Sequence, residues 1–339
     1  MAVRIGINGF GRIGRIALRA ALDDPEVEVV AINDLGKIDC CAQLLRRDTV
    51  QGKLNHELEV DGIDLIIDGH RIKGLSAREP KGLPELPWGE LGVDVVLECT
   101  GKFRDAPLLR RHIECGARKV VLSAPAKGEI DGTFVVGVND DTYDPATMNI
   151  VSNASCTTNC LAPVAKVLFD RFGIERGMMT TVHAYTSDQR LLDNSHKDLR
   201  RARAAACSIV PTTTGAAKAL GLVIPQLKGK LDGISTRVPV PDGSMVDLSV
   251  QLGTQVTAAE VNDAMRAAAE GPLKGILAYS EEPLVSSDII GERASSVFDG
   301  LSTMVLGGER GDFVKVIAWY DNEMGYSCRL VDLAKIVAR

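Results

Sequence analysis

Val3-Arg4-Ile5-Gly6-Ile7-Asn8-Gly9-Phe10-Gly11-Arg12-Ile13-Gly14 is an apolar run that breaks into three glycines spaced GxGxxG. The alternating aliphatic residues before Asn8 predict a buried strand. After the glycines, Ile13, Ile16, Ala17 and Ala20 recur at i, i+3, i+4 and i+7, which predicts a helix with one apolar face. Glycine permits a tight turn between the two and lets an anion approach the backbone, where the helix N-terminus receives negative charge. A plain strand-to-helix turn would use the same glycines, so the flanking sequence has to decide between them.

The decision comes about 20 residues later, where a second β-branched run, 27–34, ends in Asp34. An acid there accepts hydrogen bonds from both adenosine ribose hydroxyls and repels a 2′-phosphate, which favours NAD over NADP. Further candidate strands at 93–98, 119–123 and 133–138 each end in small or polar residues, as central strands of a parallel sheet do. Segments 54–75, broken by Asp61-Gly62 and Asp68-Gly69, predict small inserted hairpins. The first half therefore reads as a Rossmann-type dinucleotide-binding domain. Its ligand groove is expected beyond the carboxyl ends of the strands, where Asn8, Gly9, Gly11, Arg12, Ile13, Thr100, Gly101 and Ser123 fall.

Composition narrows the alternatives. The chain has 339 residues, 45% of them hydrophobic, with mean hydropathy +0.05, enough for two ordinary globular domains. A net charge of −6 argues against a nucleic-acid binder, and no apolar run approaches the length of a membrane span. Eight scattered cysteines form no disulfide framework, and no His/Cys spacing suits a metal. The chain enters a strand at once, without a leader pattern, so the cytoplasm is the expected compartment.

The chemistry is expected at Ser152-Asn153-Ala154-Ser155-Cys156-Thr157-Thr158-Asn159-Cys160. Residues 148–152 predict a strand, whereas Leu161, Val164, Ala165 and Leu168 recur at helical spacing. Cys156 thus falls at a helix start, where unpaired N–H groups and the helix dipole favour a thiolate. Pro163 is expected to delay or bend that helix. Downstream, 178–186 predicts a strand with His183 near its end. A thiol nucleophile needs a proton acceptor, and imidazole suits it best. The long polar run 187–212 predicts a functional or contact loop. Hydroxyls and a guanidinium at Thr212-Thr213-Thr214-Gly215 and Thr236-Arg237 are groups that hold phosphate oxygens. Thr257-Ala258-Ala259-Glu260 is a capping box opening a helix that stops at Gly271, and residues 313–320 predict a strand before a last helix.

The nine-residue cysteine segment resembles, residue for residue, the active-site signature of the phosphorylating glyceraldehyde-3-phosphate dehydrogenases. The likeness continues in order from Gly6 to about Leu333. It implies an α/β chain with an NAD-binding domain, residues 1–153 and 319–339, and an α+β catalytic domain with a mixed sheet, residues 154–318. It also implies that Cys156 is the nucleophile and His183 its base. In this resemblance Arg78 contacts adenine, while Asn322 and Tyr326 contact the nicotinamide. Thr186 and Arg237 hold the substrate phosphate. Ser155, Thr157, Thr214 and Gly215 hold the attacking inorganic phosphate, with Arg201 at a further phosphate-side position. It implies a homotetramer, with the 187–212 loop at a subunit interface near the neighbouring cofactor.

This chain departs from the family at Met324, commonly tryptophan, and at Asn194-Ser195, often proline in NAD-specific members. Serine there resembles relatives that also accept NADP, so NAD preference with some NADP use is expected. Two alternatives share features with the chain. Erythrose-4-phosphate dehydrogenase has the same cysteine signature but hydrolyses its thioester, and a silent nucleotide-binding scaffold would keep only the glycine turn. The pair Thr214-Gly215 and the run His183-Ala184-Tyr185-Thr186 fit the phosphorylating enzyme better.

Overall fold

A computed structural model describes residues 2–78 and 85–339. The chain divides into two compact units. The first comprises Met1–Val136, Asp140–Ser155 and Ser327–Arg339; the second comprises Gly137–Asn139 and Cys156–Tyr326.

The first unit is built on a nine-stranded sheet. Its parallel part runs in the order Gly132–Thr133, Ile150–Ser152, Lys119–Leu122, Val95–Glu98, Val3–Asn8, Val27–Asn33, His70–Leu75. Ile5, Ile7, Val95, Val96, Val120 and Val121 are fully buried, as strands covered on both faces require. The expected hairpins are present. Leu58–Asp61, Asp64–Ile67 and His70–Leu75 pair antiparallel, and the last of these joins the main sheet. The run 133–138 is a strand only at Thr133. Phe134 and Val135 are buried beyond it, Phe134 N–H still reaching the Ser152 carbonyl at 2.8 Å, and Gly137, at φ +83°, turns the chain away.

The helix Arg12–Leu22 packs onto this sheet because its turn is made of glycine. Gly9 has φ +95°, and a Cβ there would meet Thr100 N at 2.7 Å. A Cβ on Gly14 would lie 2.2 Å from the Gly9 carbonyl oxygen. Gly11 has φ −74°, and a Cβ there would meet nothing within 4 Å.

The second unit carries a seven-stranded mixed sheet, ordered Val210–Thr213, Leu231–Val238, Ile174–Ala184, Ser244–Val256, Gly311–Tyr320, Ser296–Leu306, Leu277–Ser280. Three helices, Cys156–Phe172, Ala216–Val223 and Ala258–Glu270, also belong to it; the third opens on the Thr257–Glu260 capping box. The delay expected of Pro163 does not occur, since the first of these starts at Cys156 and runs through it. Every residue from Thr157 to Ala165 is buried, so packing outweighs the roughly 3 kcal/mol that an interior proline costs. The 187–212 run is irregular except for a short turn of helix at Ala205–Cys207 and the strand starting at Val210.

The glycine geometry predicts opposite outcomes for two substitutions in one turn. Gly14→Ala is expected to cost about 1–3 kcal/mol of stability through the backbone clash. Gly11→Ala is expected to stay within about 0.5 kcal/mol of wild type. Urea unfolding of both variants measures the difference.

Candidate active site

The second unit places Cys156 as the first residue of its helix and His183 near the carboxyl end of the strand Ile174–Ala184. Cys156 Sγ lies 3.4 Å from His183 Nε2. Parallel register pairs His183 with Arg237 on the neighbouring strand, which brings the guanidinium to the imidazole. Arg237 Nη1 reaches the Ala184 carbonyl at 3.1 Å and Thr186 Oγ1 at 3.3 Å, and lies 3.2 Å from His183 Nδ1.

The tautomer of His183 follows from its partners. Nδ1 stands 2.7 Å from the Ala184 carbonyl oxygen, which only accepts, and 3.2 Å from Arg237 Nη1, which only donates; the shorter contact, with Arg237 donating to the same carbonyl, puts the proton on Nδ1. Nε2 is therefore the lone-pair nitrogen, and it faces the sulfur. Tyr320 braces the pair from behind. Its ring packs edge-on against His183, and its hydroxyl bonds Thr157 Oγ1 at 2.9 Å and Thr181 Oγ1 at 2.8 Å.

The resting charge state differs from the thiolate expected of a helix start. Burial pushes the Cys156 thiol up, against Arg237 and the Thr157 N–H and hydroxyl, which favour the anion. Burial and then Arg237 push the His183 imidazole down. Taken singly, both groups rest neutral, as a thiol beside a free base. Proton transfer between them sets opposite charges 3.4 Å apart, worth about 5 kcal/mol at an effective dielectric of about 20. That attraction offsets part of the desolvation, and the resting pair stays a thiol beside a free base until sulfur adds to a substrate.

The phosphate candidates divide. Thr186 and Arg237 join the cysteine cluster, and Arg237 Nε is buried without a partner. Arg201 is engaged by Asp188, by Thr212 Oγ1 at 3.0 Å and by the Thr213 carbonyl at 3.3 Å, though its charge still acts on His183. The Thr214 hydroxyl accepts the Ala216 N–H at 3.2 Å beside Gly215, which heads a helix with no side-chain cap. Among the described residues, no hydrogen bond ties Thr214 or Gly215 to the cysteine cluster. Thr157 is buried, with its hydroxyl on Tyr320 and on the sulfur. Ser155 ends the second segment of the first unit.

Sequence reasoning missed what holds Asn322. Ser244 Oγ accepts the Ala184 N–H at 3.0 Å and donates to Asn322 Oδ1 at 2.5 Å. Next to these two residues, the buried carboxyl groups of Asp242 and Asp321 hydrogen-bond to each other. Burial, with the negative charges of Asp321 and Glu323, pushes Asp242 up to about 9, so it stays protonated at neutral pH. The legible signal was Asp242-Gly243 ahead of a strand. Gly243 has φ +80°, and a Cβ there would lie 2.0 Å from the Ser286 carbonyl oxygen. Tyr326 is buried one turn into the helix Met324–Ala338.

In the first unit the expected cofactor residues gather at strand ends. Asp34 Oδ2 accepts the Phe10 N–H at 2.7 Å and Oδ1 accepts Gly36 N–H at 2.8 Å, fixing the acid beside the glycine turn. Asn8 Nδ2 donates to Glu98 Oε2 at 2.6 Å, and Thr100 N donates to Glu98 Oε1 at 2.8 Å. Ser123 N donates to the Glu98 carbonyl at 3.0 Å, and Gly101 is an exposed glycine at φ +68°. Arg12 is paired with Asp48, Ile13 is half-buried in the first turn, and Arg78 is exposed beyond His70–Leu75. An open space over Gly11 at an uncapped helix start, with an acid fixed alongside, fits a dinucleotide pyrophosphate and ribose.

The comparisons agree with this geometry. The profile for the glyceraldehyde 3-phosphate dehydrogenase NAD binding domain matches residues 3–106, and that for its C-terminal domain matches residues 155–322. The glyceraldehyde-3-phosphate dehydrogenase of Geobacillus stearothermophilus is 60% identical over 338 residues, covering 100% of this chain and 99% of that protein. The chain belongs to the glyceraldehyde-3-phosphate dehydrogenase family. Glyceraldehyde-3-phosphate dehydrogenase 1 of Bacillus subtilis is 59% identical and covers 100% of the chain, and the Streptomyces coelicolor enzyme is 58% identical and covers 99%; in each case 99% of the relative is matched. The family's NAD-binding domain carries the glycine turn and Asp34, and its C-terminal domain carries Cys156 and His183.

Two measurements check the electrostatics. His183→Asn is expected to slow iodoacetamide alkylation of Cys156 at neutral pH at least about tenfold, since the proton acceptor is gone. A carboxyl held protonated only in the folded state makes stability fall as pH rises between the unfolded and folded pKa values. Between those values Asp242 is expected to make stability decline as pH rises. Asp242→Asn removes that contribution in denaturant titrations at each pH.

Proposed function

We propose that this chain oxidises D-glyceraldehyde 3-phosphate to 1,3-bisphosphoglycerate, with reduction of NAD and uptake of inorganic phosphate. The observation that carries the proposal is Cys156 Sγ at 3.4 Å from the lone-pair nitrogen of His183, with Arg237 against the same imidazole.

In this reading the Cys156 proton moves to His183 Nε2 as sulfur bonds to the aldehyde carbon. The carbonyl pair collapses onto oxygen, and Nε2–H then gives its proton to that oxygen, forming the hemithioacetal hydroxyl and freeing the base. NAD, when bound in the glycine cradle, would supply the hydride acceptor for oxidation of the hemithioacetal to a thioester. His183 takes the hydroxyl proton as the carbonyl re-forms. A phosphate oxygen then attacks the thioester carbon and Cys156 leaves as thiolate, so the acyl group stays activated. Thr186 and Arg237 hold the substrate phosphate. Ser155, Thr157, Thr214 and Gly215 surround the attacking one, with Arg201 adding positive charge.

Asn8, Gly9, Gly11, Arg12 and Ile13 form the dinucleotide cradle, Asp34 receives the adenosine ribose, and Arg78 lies along the adenine. Thr100, Gly101 and Ser123 line the groove, while Asn322 and Tyr326 meet the nicotinamide. NAD is preferred, and Asn194-Ser195 leaves room for NADP. The NAD-binding domain is formed by residues 1–153 and 319–339, and the catalytic domain by residues 154–318.

A homotetramer accompanies this reading. Register puts Met178, Ile234, Met304, Leu306 and Phe313 on one exposed face of the second unit's sheet, and Leu191, Leu192 and Leu199 protrude from the long loop. Exposed apolar side chains in that number support burial against other subunits. Free cysteines throughout support a reducing, cytoplasmic setting. Among the described residues, no helix is long and apolar enough to cross a membrane.

NADH appearance with glyceraldehyde 3-phosphate, with and without phosphate, tests the proposal. Sustained turnover is expected only with phosphate, and phosphate-independent turnover would instead favour thioester hydrolysis. Gly11→Ala, folded as wild type, is expected to raise the NAD dissociation constant at least about tenfold by filling the cradle.

A further inference from the structure

Ser244 is fully buried, and its hydroxyl is committed in both directions. The Ala184 N–H can only donate, so Ser244 Oγ accepts there at 3.0 Å. The hydroxyl proton is then directed to Asn322 Oδ1, 2.5 Å away. Asn322 has no other side-chain hydrogen bond among the described residues, and its Nδ2 is not sealed in without a partner. An asparagine whose oxygen is already occupied offers its surroundings an NH2 group. A freely rotating one would offer oxygen and nitrogen about equally.

We infer that Ser244 is a positioning residue, one that fixes the Asn322 amide so that it donates to the carbonyl oxygen of the nicotinamide carboxamide. This rests on the assignment of Asn322 to the nicotinamide given above. Two features make the arrangement rigid. Register places Ser244 opposite Tyr320, so the start of one strand lies beside the end of the next. The turns flanking these strands are also clasped. Asp242 hydrogen-bonds to Asp321, which accepts N–H groups from Gly291, Glu323 and Met324 at 2.8, 2.8 and 2.7 Å. The same Ser244 hydroxyl holds Ala184, whose carbonyl receives His183 Nδ1–H. One hydroxyl therefore ties the base and the ring-orienting amide to a common frame. A structural serine would fill the same space, but nothing in that role would favour one ligand functional group over another.

The test compares binding of NAD with binding of an NAD analogue whose pyridinium ring lacks the carboxamide, using calorimetric titration of cofactor-free protein. Wild type is expected to bind NAD about tenfold more tightly than the analogue, the size of one lost hydrogen bond. Ser244→Ala is expected to lose that preference, raising the NAD dissociation constant about tenfold while leaving analogue affinity within about twofold of wild type. Ser244→Cys, nearly the same size and a weaker donor, is expected to fall between them, and it carries the test if the alanine variant unfolds. Equal weakening of both ligands, or no change in either, would overturn the positioning role. Wild type binding both ligands equally would instead overturn the assignment of Asn322 to the carboxamide.

Discussion

The hydrogen bond from His183 Nδ1–H to the Ala184 carbonyl decides what this site can do. A neutral imidazole has one donor and one acceptor, and which nitrogen holds which is set by the stronger local constraint. Here the constraint is the backbone oxygen of the next residue, part of a strand ordered by its neighbours on both sides. A rotated ring would set two acceptors against one another and turn a donor toward the sulfur. The base is therefore specified by main-chain geometry, and the side chain of Ala184 need only be small.

Burial and charge then compete, and their balance explains why cysteine and histidine have to be considered together. Desolvation disfavours either charge alone. Arg237 favours a thiolate and opposes an imidazolium, so it shifts the two members of the ion pair in opposite directions. Their mutual attraction, about 5 kcal/mol at an effective dielectric of about 20, offsets much of the desolvation. An anion seated on Arg237 would lessen its repulsion of the imidazolium. The same anion would weaken the support Arg237 gives the thiolate, so its two effects on the pair oppose each other.

The parts legible in the sequence were those set by local pattern. The Val3–Gly14 run showed strand, turn and helix, and Asp34 followed at the distance a second parallel strand imposes. Cys156 was placed at a helix start because apolar spacing changes from strand to helix just there. Pro163 misled because propensity is local, whereas the burial that overrides it comes from other parts of the second unit. The charge state of Cys156 misled for the same reason, since helix-end electrostatics are read from neighbours and desolvation is not. Ser244 and Tyr320 were missed because their roles depend on strand register, Ser244 opposite Tyr320 and His183 beside Arg237, across separations that spacing does not encode.

The first unit solves an equivalent positioning problem with a different donor. Trp88 Nε1–H can only donate, and it points to His112 Nδ1 at 3.0 Å, which fixes the other ring nitrogen as the N–H. That nitrogen faces Glu98 Oε2 at 3.1 Å. The same oxygen accepts Asn8 Nδ2, and Oε1 accepts both the N–H and the hydroxyl of Thr100. Asn33 donates to Asn8 Oδ1 at 2.8 Å and accepts Ala77 N–H at 2.9 Å, extending the chain across three strands. Glu98 and His112 are fully buried, where an unsatisfied carboxylate would cost several kcal/mol, so every donor in the chain is needed by its acceptor. In the second unit a backbone N–H sets the direction of the hydrogen bonds that end on Asn322, and in the first the Glu98 carboxylate, an obligate acceptor, sets the direction of those it receives from His112, Asn8 and Thr100. Rigidity at Asn8 and Asn322 thus comes from the direction of those bonds, in a protein where the surrounding apolar packing alone would leave each amide free to turn over.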